Sequence, residues 1–204
     1  MSDQITPVFP VTIYKSRIPL AESLDYVRTV PHSRVTADNG YASDNQQILE
    51  EPELDFLKKQ IMHHVDKYMA SLRVSTKMEF FITCSWAILH DKGDESGEHF
   101  HSNSLISGVV YLNTDKYSGN LVFHRDWQTL FPQSLTPEFS DFTPFNCETI
   151  GVTPKPGDLY LFPSFLKHSV APSESEIDRR CVAFNVFAKG KIDSRQDNMT
   201  HLEI

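Results

Sequence analysis

The feature that most constrains the fold is a change of hydrophobic period near Val74. Before it, Leu54, Leu57, Ile61, Val65, Tyr68 and Leu72 recur at offsets of three and four, which puts them on one face of a helix over 52–73, with Pro52 suited to the first turn. A shorter helical pattern over 20–29 turns Leu24 and Val27 inward and stops before Pro31. After Val74 the chain becomes a series of short runs rich in Val, Ile, Tyr and Phe bounded by turn residues, the pattern of a many-stranded sandwich or barrel. Strands are predicted over 79–89, 105–113, 120–124, 158–162 and 181–188. Turn chemistry separates them at Asp91-Lys92-Gly93-Asp94, Tyr117-Ser118-Gly119 and Pro154-Lys155-Pro156-Gly157-Asp158. The expected fold is mainly β with flanking helices: N-terminal helices packed on the outside of an antiparallel β-sandwich.

No repeat, low-complexity tract or Ser/Gly-rich linker divides the 204 residues, so 1–204 reads as one domain, with 1–75 as helical support and 76–190 as the β core. A chain of this length buries a sizeable core without disulfides, roughly 70% of the surface its unfolded form exposes. Cys84, Cys147 and Cys181 form no CxxC pair and leave one thiol over in any bridging scheme, which suits a reducing compartment. The N-terminal stretch does not read as a secretory signal, and no run approaches the ~18–20 apolar residues of a membrane span, so the expected location is cytoplasmic with no membrane partner. Nineteen Lys+Arg against twenty-seven Asp+Glu give a net charge of −8 with no basic block, which argues against a nucleic-acid partner. The segment 125–149, with Trp127, Phe131, Phe139, Phe142, Phe145 and three prolines, has no steady period; it reads as a lid or specificity loop, or else as a plain surface insertion.

Nine histidines are many for this length. His63 and His64 on the long helix read as solvated helix surface. His99-Phe100-His101 precedes a strand, and in an extended segment the period of two puts both imidazoles on one face, where they can chelate one metal. His168 follows the strand over 158–162, and Arg179 stands at the mouth of the last one.

The order of these motifs, HxH, SGVVYLN, GxLVF, PxPGDLYLFPSFLxH and RRCVAFN, resembles the double-stranded β-helix of the Fe(II)/2-oxoglutarate-dependent oxygenases. Within that superfamily the chain is most similar to a group found in marine bacteria and tailed phages, distantly similar to prolyl hydroxylases. The likeness runs from about Cys84 to Phe187, and Pro7-Val8-Phe9-Pro10 is also typical of the group. A phage source would make the compartment the host cytoplasm.

The resemblance implies a jelly-roll, cupin-like core, the cofactor Fe(II), the cosubstrate 2-oxoglutarate and O2. It implies His99 and His168 as the two histidine ligands of a facial triad whose third member is usually a carboxylate. Here His101 stands in that place. Either His101 ligates, giving a three-His face, or a carboxylate or water completes the site; Glu98 points to the other face of a strand. His101 is the favoured ligand because it keeps the face and the reach. Arg179 matches the family's anchor for the distal carboxylate of 2-oxoglutarate, as a bidentate guanidinium suits a buried anion. That alignment puts Cys181 at a position where the family often has serine and keeps Cys181, Ala183 and Asn185 on the face of Arg179. Arg180 points the other way unless a single-residue bulge exchanges the two. Tyr111 matches a tyrosine on the same carboxylate or else packs in the core, and Asn113 shares its face.

The implied reaction hydroxylates a C–H bond of a small-molecule or peptidyl substrate, prolyl included, and releases succinate and CO2. Two rival readings of the histidines are a three-His zinc hydrolase or hydratase and a non-catalytic cupin-like metal-binding module. His124, Arg125 and Trp127 stand at the expected substrate mouth, with a solvated turn as the plainer account of Arg125, and His90 also borders it.

Overall fold

The computed structural model describes residues 6–36, 39–74, 77–126 and 138–190. Trp127, Phe131 and His201 therefore lie outside the described residues. Two helices, α1 (Ser23–Thr29) and α2 (Asp55–Ser71), accompany the strands β1 (Tyr14–Arg17), β2 (His32–Arg34), β3 (Tyr41–Ser43), β4 (Glu79–His90), β5 (Ser96–His99), β6 (Ile106–Asn113), β7 (Leu121–His124), β8 (Thr149–Val152), β9 (Asp158–Pro163), β10 (His168–Val170) and β11 (Arg179–Lys189). They form a seven-stranded sheet in the order β1-β9-β6-β11-β4-β3-β2 and a four-stranded sheet in the order β5-β10-β7-β8. The pairings within both sheets are antiparallel, and the two sheets face each other as a jelly roll.

The period of two along β6 explains the layering. Val110 and Leu112 join Leu57, Ile61 and Val65 of α2 in one apolar cluster, while Val109 and Tyr111 join Leu121 and Phe123 of the small sheet in another. The large sheet is thus covered by α2 on one face and by the small sheet on the other, which is why β6 is buried along almost its whole length. Each of the buried aliphatic side chains on α2 contributes about 1.5–3 kcal/mol by leaving water. Leu72, the last residue of the predicted stripe, is 44% exposed, because α2 ends at Ser71.

The N-terminal third differs from expectation. It contributes β1 to one edge of the large sheet and β2 and β3 to the other, besides its helices. β1, β2 and β3 hold three or four residues each, too few for alternation to mark them in their own sequence. His64 is also no surface residue: it is 8% exposed and its Nδ1 lies 2.7 Å from the Tyr14 hydroxyl, so it ties α2 to β1. The predicted turn at Lys155-Pro156-Gly157-Asp158 is present, with the Asp158 amide donating to the Lys155 carbonyl and Gly157 at φ +87°, a conformation that glycine adopts without strain.

Candidate metal and anion site

Antiparallel register brings the histidines together. β5 ends on His99, β10 begins on His168, and these two residues are direct partners in the small sheet. His101, just past the end of β5, is held by its backbone amide donating to the Ser164 carbonyl. The His99 and His168 rings have centroids 4.3 Å apart, and the His101 ring lies 5.1 Å and 5.2 Å from them. One ring nitrogen from each of the three lies within 4.8 Å of the others, the one such cluster among the described residues.

Second partners orient two of the rings. His99 Nδ1 donates to the Gly97 carbonyl at 2.7 Å and His168 Nδ1 to the Leu166 carbonyl at 2.9 Å, so in both rings Nε2 keeps its lone pair. Burial holds the His168 and His101 imidazoles down to about 4, with the neighbouring histidines adding to the effect, so at neutral pH both are uncharged donors. Three converging imidazoles are a donor set that fits Fe(II), as it fits other divalent first-row metals. Glu98 is not part of the cluster: its carboxylate is held by Lys167 Nζ at 2.9 Å and His124 Nδ1 at 3.2 Å.

Arg179 begins β11 opposite His90 on β4 and is 1% exposed. Among the described residues no carboxylate pairs with it. Its Nη1 reaches the Ser118 carbonyl at 3.5 Å, its guanidinium lies 5.8 Å from the Tyr111 ring centre, and its Nε has no partner. A buried cation left in this state is costly unless an anion joins it. Arg180 points the other way and is neutralised by Asp178, Nε to Oδ2 2.6 Å. Burial pushes up both the Tyr111 phenol and the Cys181 thiol, keeping them protonated beside Arg179.

A cavity of about 370 Å³ contains both features, with His99, His101 and His168 in one part of its lining and Tyr111, Arg179 and Cys181 in another. Asn113 and Asn185 do not line it. A register shift between Arg180 and Cys181 sets Asn113 opposite Arg180, where its amide donates to the Asp178 carbonyl at 2.7 Å. Asn185 lies six residues along β11 from Arg179, roughly 20 Å of strand, and its amide nitrogen is 3.4 Å from His101 Nδ1.

His90, read from sequence as bordering the mouth, is instead fully buried at the Arg179 end, and burial with the nearby guanidinium holds its pKa down to about 3. Continuing the period of two from Trp86 and Ile88, which line the cavity, would have found it. The β2–β3 hairpin closes over it at Gly40, φ +64°, where a Cβ would come within 2.3 Å of the His90 ring. Arg125 is more than a solvated turn residue: its guanidinium donates to the Pro144 and Phe145 carbonyls at 2.7 Å and 2.9 Å, bracing the segment that leads into β8.

The model of the family described as "Putative 2OG-Fe(II) oxygenase" matches residues 84–185, half of the chain. Comparison with curated proteins gives no match. Among solved structures the chain is similar to a Pseudomonas putida prolyl-4-hydroxylase, at 15% identity over 86% of this chain and 92% of that one, with a TM-score of 0.58. It is similar to the α-ketoglutarate-dependent epimerase SnoN from nogalamycin biosynthesis, at 12% identity over 87% and 78% of the chains, TM-score 0.61. It is also similar to HygX from Streptomyces hygroscopicus, solved with nickel, 2-oxoglutarate and hygromycin B bound, at 10% identity over 86% and 82%, TM-score 0.57. At these identities the likeness to solved structures is one of fold, the double-stranded β-helix.

Proposed function

The chain belongs to the 2OG-Fe(II) oxygenase family, and from that premise we propose that it hydroxylates a C–H bond of a small molecule or of a peptide side chain, prolyl included. His99, His101 and His168 hold the iron, and Arg179 with Tyr111 holds the distal carboxylate of 2-oxoglutarate. The observation that carries this assignment is the unpaired, buried Arg179 in the same cavity as three converging histidines. A zinc hydrolase or a passive metal-binding module has no use for that guanidinium.

Fe(II) with bound 2-oxoglutarate supplies the oxidising chemistry, in which O2 is consumed, the oxo acid becomes succinate and CO2, and one oxygen atom enters the substrate. The protein supplies placement. The Gly97 and Leu166 carbonyls keep the Nε2 lone pairs of His99 and His168 free for the metal. Arg179 offers the two parallel N–H donors that fit a carboxylate, and the protonated Tyr111 hydroxyl, in the same cavity lining, would donate to the same group. With a net charge of −8 over the whole chain, the attraction that draws a dianion inward is local to that arginine.

The test is anaerobic purification with Fe(II) followed by O2-dependent release of succinate from 2-oxoglutarate, for the wild type and for His99→Ala and Arg179→Ala. The wild type is expected to turn over and both variants to lose most activity. Absence of succinate above a metal-free control sinks the reading.

A further inference from the structure

His101 is held differently from the other two histidines. His99 and His168 give their Nδ1 protons to backbone carbonyls, whereas His101 Nδ1 faces a side chain, the Asn185 amide nitrogen at 3.4 Å. With that N–H donating, the His101 proton sits on Nε2. A ring that ligates through Nε2 must instead carry its proton on Nδ1 and needs an acceptor there.

We propose that Asn185 is the positioning residue of His101, and that its amide turns over about the Cβ–Cγ bond when His101 takes up metal, so that Oδ1 accepts the Nδ1 proton. This rests on the assignment of His101 as a ligand made above. The surroundings of Asn185 are built to permit the turn. Its Oδ1 now accepts from the Ser107 hydroxyl at 2.8 Å, and Ser107 lies 2.9 Å from the Ser164 hydroxyl, itself 2.7 Å from the Ser104 hydroxyl. Ser104 donates to the Ile106 carbonyl at 2.9 Å.

A hydroxyl can donate or accept. After the turn, Asn185 Nδ2 donates to Ser107, Ser107 to Ser164, Ser164 to Ser104, and Ser104 still to the Ile106 carbonyl. Cys84, whose Sγ lies 3.4 Å from Asn185 Nδ2, then donates its S–H to Oδ1 in place of accepting. Each of these side chains keeps at least one hydrogen-bond partner in either arrangement, and Ser107, Ser164 and Asn185 are all buried. A backbone carbonyl would fix His101 in one tautomer; the asparagine with its serine chain serves both.

The experiment is a Co(II) titration followed by absorption, on the wild type, Asn185→Ala, Asn185→Asp and Ser107→Ala. Asparagine to alanine is expected to weaken Co(II) by about 10–100-fold, the usual cost of losing the hydrogen bond behind a metal-ligating histidine. Asn185→Asp, an acceptor in every orientation, is expected to bind within about threefold of the wild type, and Ser107→Ala to fall between the two. Nitrogen-15 spectra of labelled histidines are expected to show the His101 proton on Nε2 without metal and on Nδ1 with Zn(II). The proposal is overturned by alanine-variant affinity within twofold of wild type, by an aspartate variant as weak as the alanine one, or by a proton that does not move. A wild type that takes up no Co(II), or a His101→Ala variant that binds as tightly as wild type, removes the ligand assignment beneath it as well.

Discussion

The guanidinium of Arg179 faces the ring of Tyr111 at 5.8 Å, and that aromatic face, one carbonyl at 3.5 Å and the Cys181 sulfur, all uncharged, are the contacts its buried charge receives. The fold therefore carries a charge it would be more stable without. Arg179→Met is expected to raise the stability of the ligand-free protein by about 1–3 kcal/mol. The same variant is expected to lose the rise in Tm that 2-oxoglutarate gives the wild type in the presence of Zn(II). Melting curves with and without the two ligands check both halves. Arg180→Ala, which removes a partner of Asp178 outside the cavity, is expected to leave the 2-oxoglutarate response unchanged.

The sheet pairing of His99 with His168 makes the two rings equivalent in support, each backed by a carbonyl. On the proposed assignment, removing either ring deletes a ligand rather than its backing. His99→Ala and His168→Ala are each expected to weaken Co(II) by more than the ~10–100-fold that loss of a supporting hydrogen bond costs. Equilibrium dialysis at neutral pH measures it, and an affinity near wild type for one variant would remove that histidine from the site.

Arg125 spends its guanidinium on the carbonyls of Pro144 and Phe145. Arg125→Ala is expected to lower the local stability of residues 138–149 by about 1–3 kcal/mol and to speed their amide exchange several-fold or more. Global Tm is expected to move little. Hydrogen exchange read by mass spectrometry separates these outcomes, and unchanged protection in this segment would contradict the brace.

His90 is fully buried and its pKa is lowered to about 3, from a value near 6.5 in the unfolded chain. Between those values the unfolded state binds a proton that the folded state does not, so stability falls as pH falls through that window and is constant in this contribution above it. Each unit is worth about 1.4 kcal/mol. His90→Gln removes the titration, and its loss of stability between pH 6.5 and pH 4 is expected to be smaller than that of the wild type by about 3 kcal/mol. Urea unfolding at four pH values checks this; parallel curves for the two proteins would contradict it.

Long, strongly patterned elements were legible in the sequence: α2 through its three-and-four spacing, and β4, β6, β9 and β11 through their apolar runs. Among the short strands β7 was read as 120–124, but β5, β8 and β10 were not, because they hold three or four residues and take their form from neighbours rather than from their own pattern. The residues of the histidine cluster and Arg179 could be named from motif order. Asn113 was misread for the cavity because a register shift in the β6–β11 pairing, invisible in one strand's sequence, changes which residues face each other. The network behind His101 could not be read either, since Ser104, Ser107 and Ser164 look like ordinary polar punctuation until the fold brings them to Asn185.

The histidines meet only where β5 and β10 meet, and those strands join segments far apart in the chain through two residue pairs. Distant pairings of that kind form late in folding, after the entropy of closing the intervening chain has been met. The three rings therefore have no common position in the chain until β5 and β10 have paired. Whatever the three rings bind together, they bind as a product of that pairing and not of any local stretch of sequence.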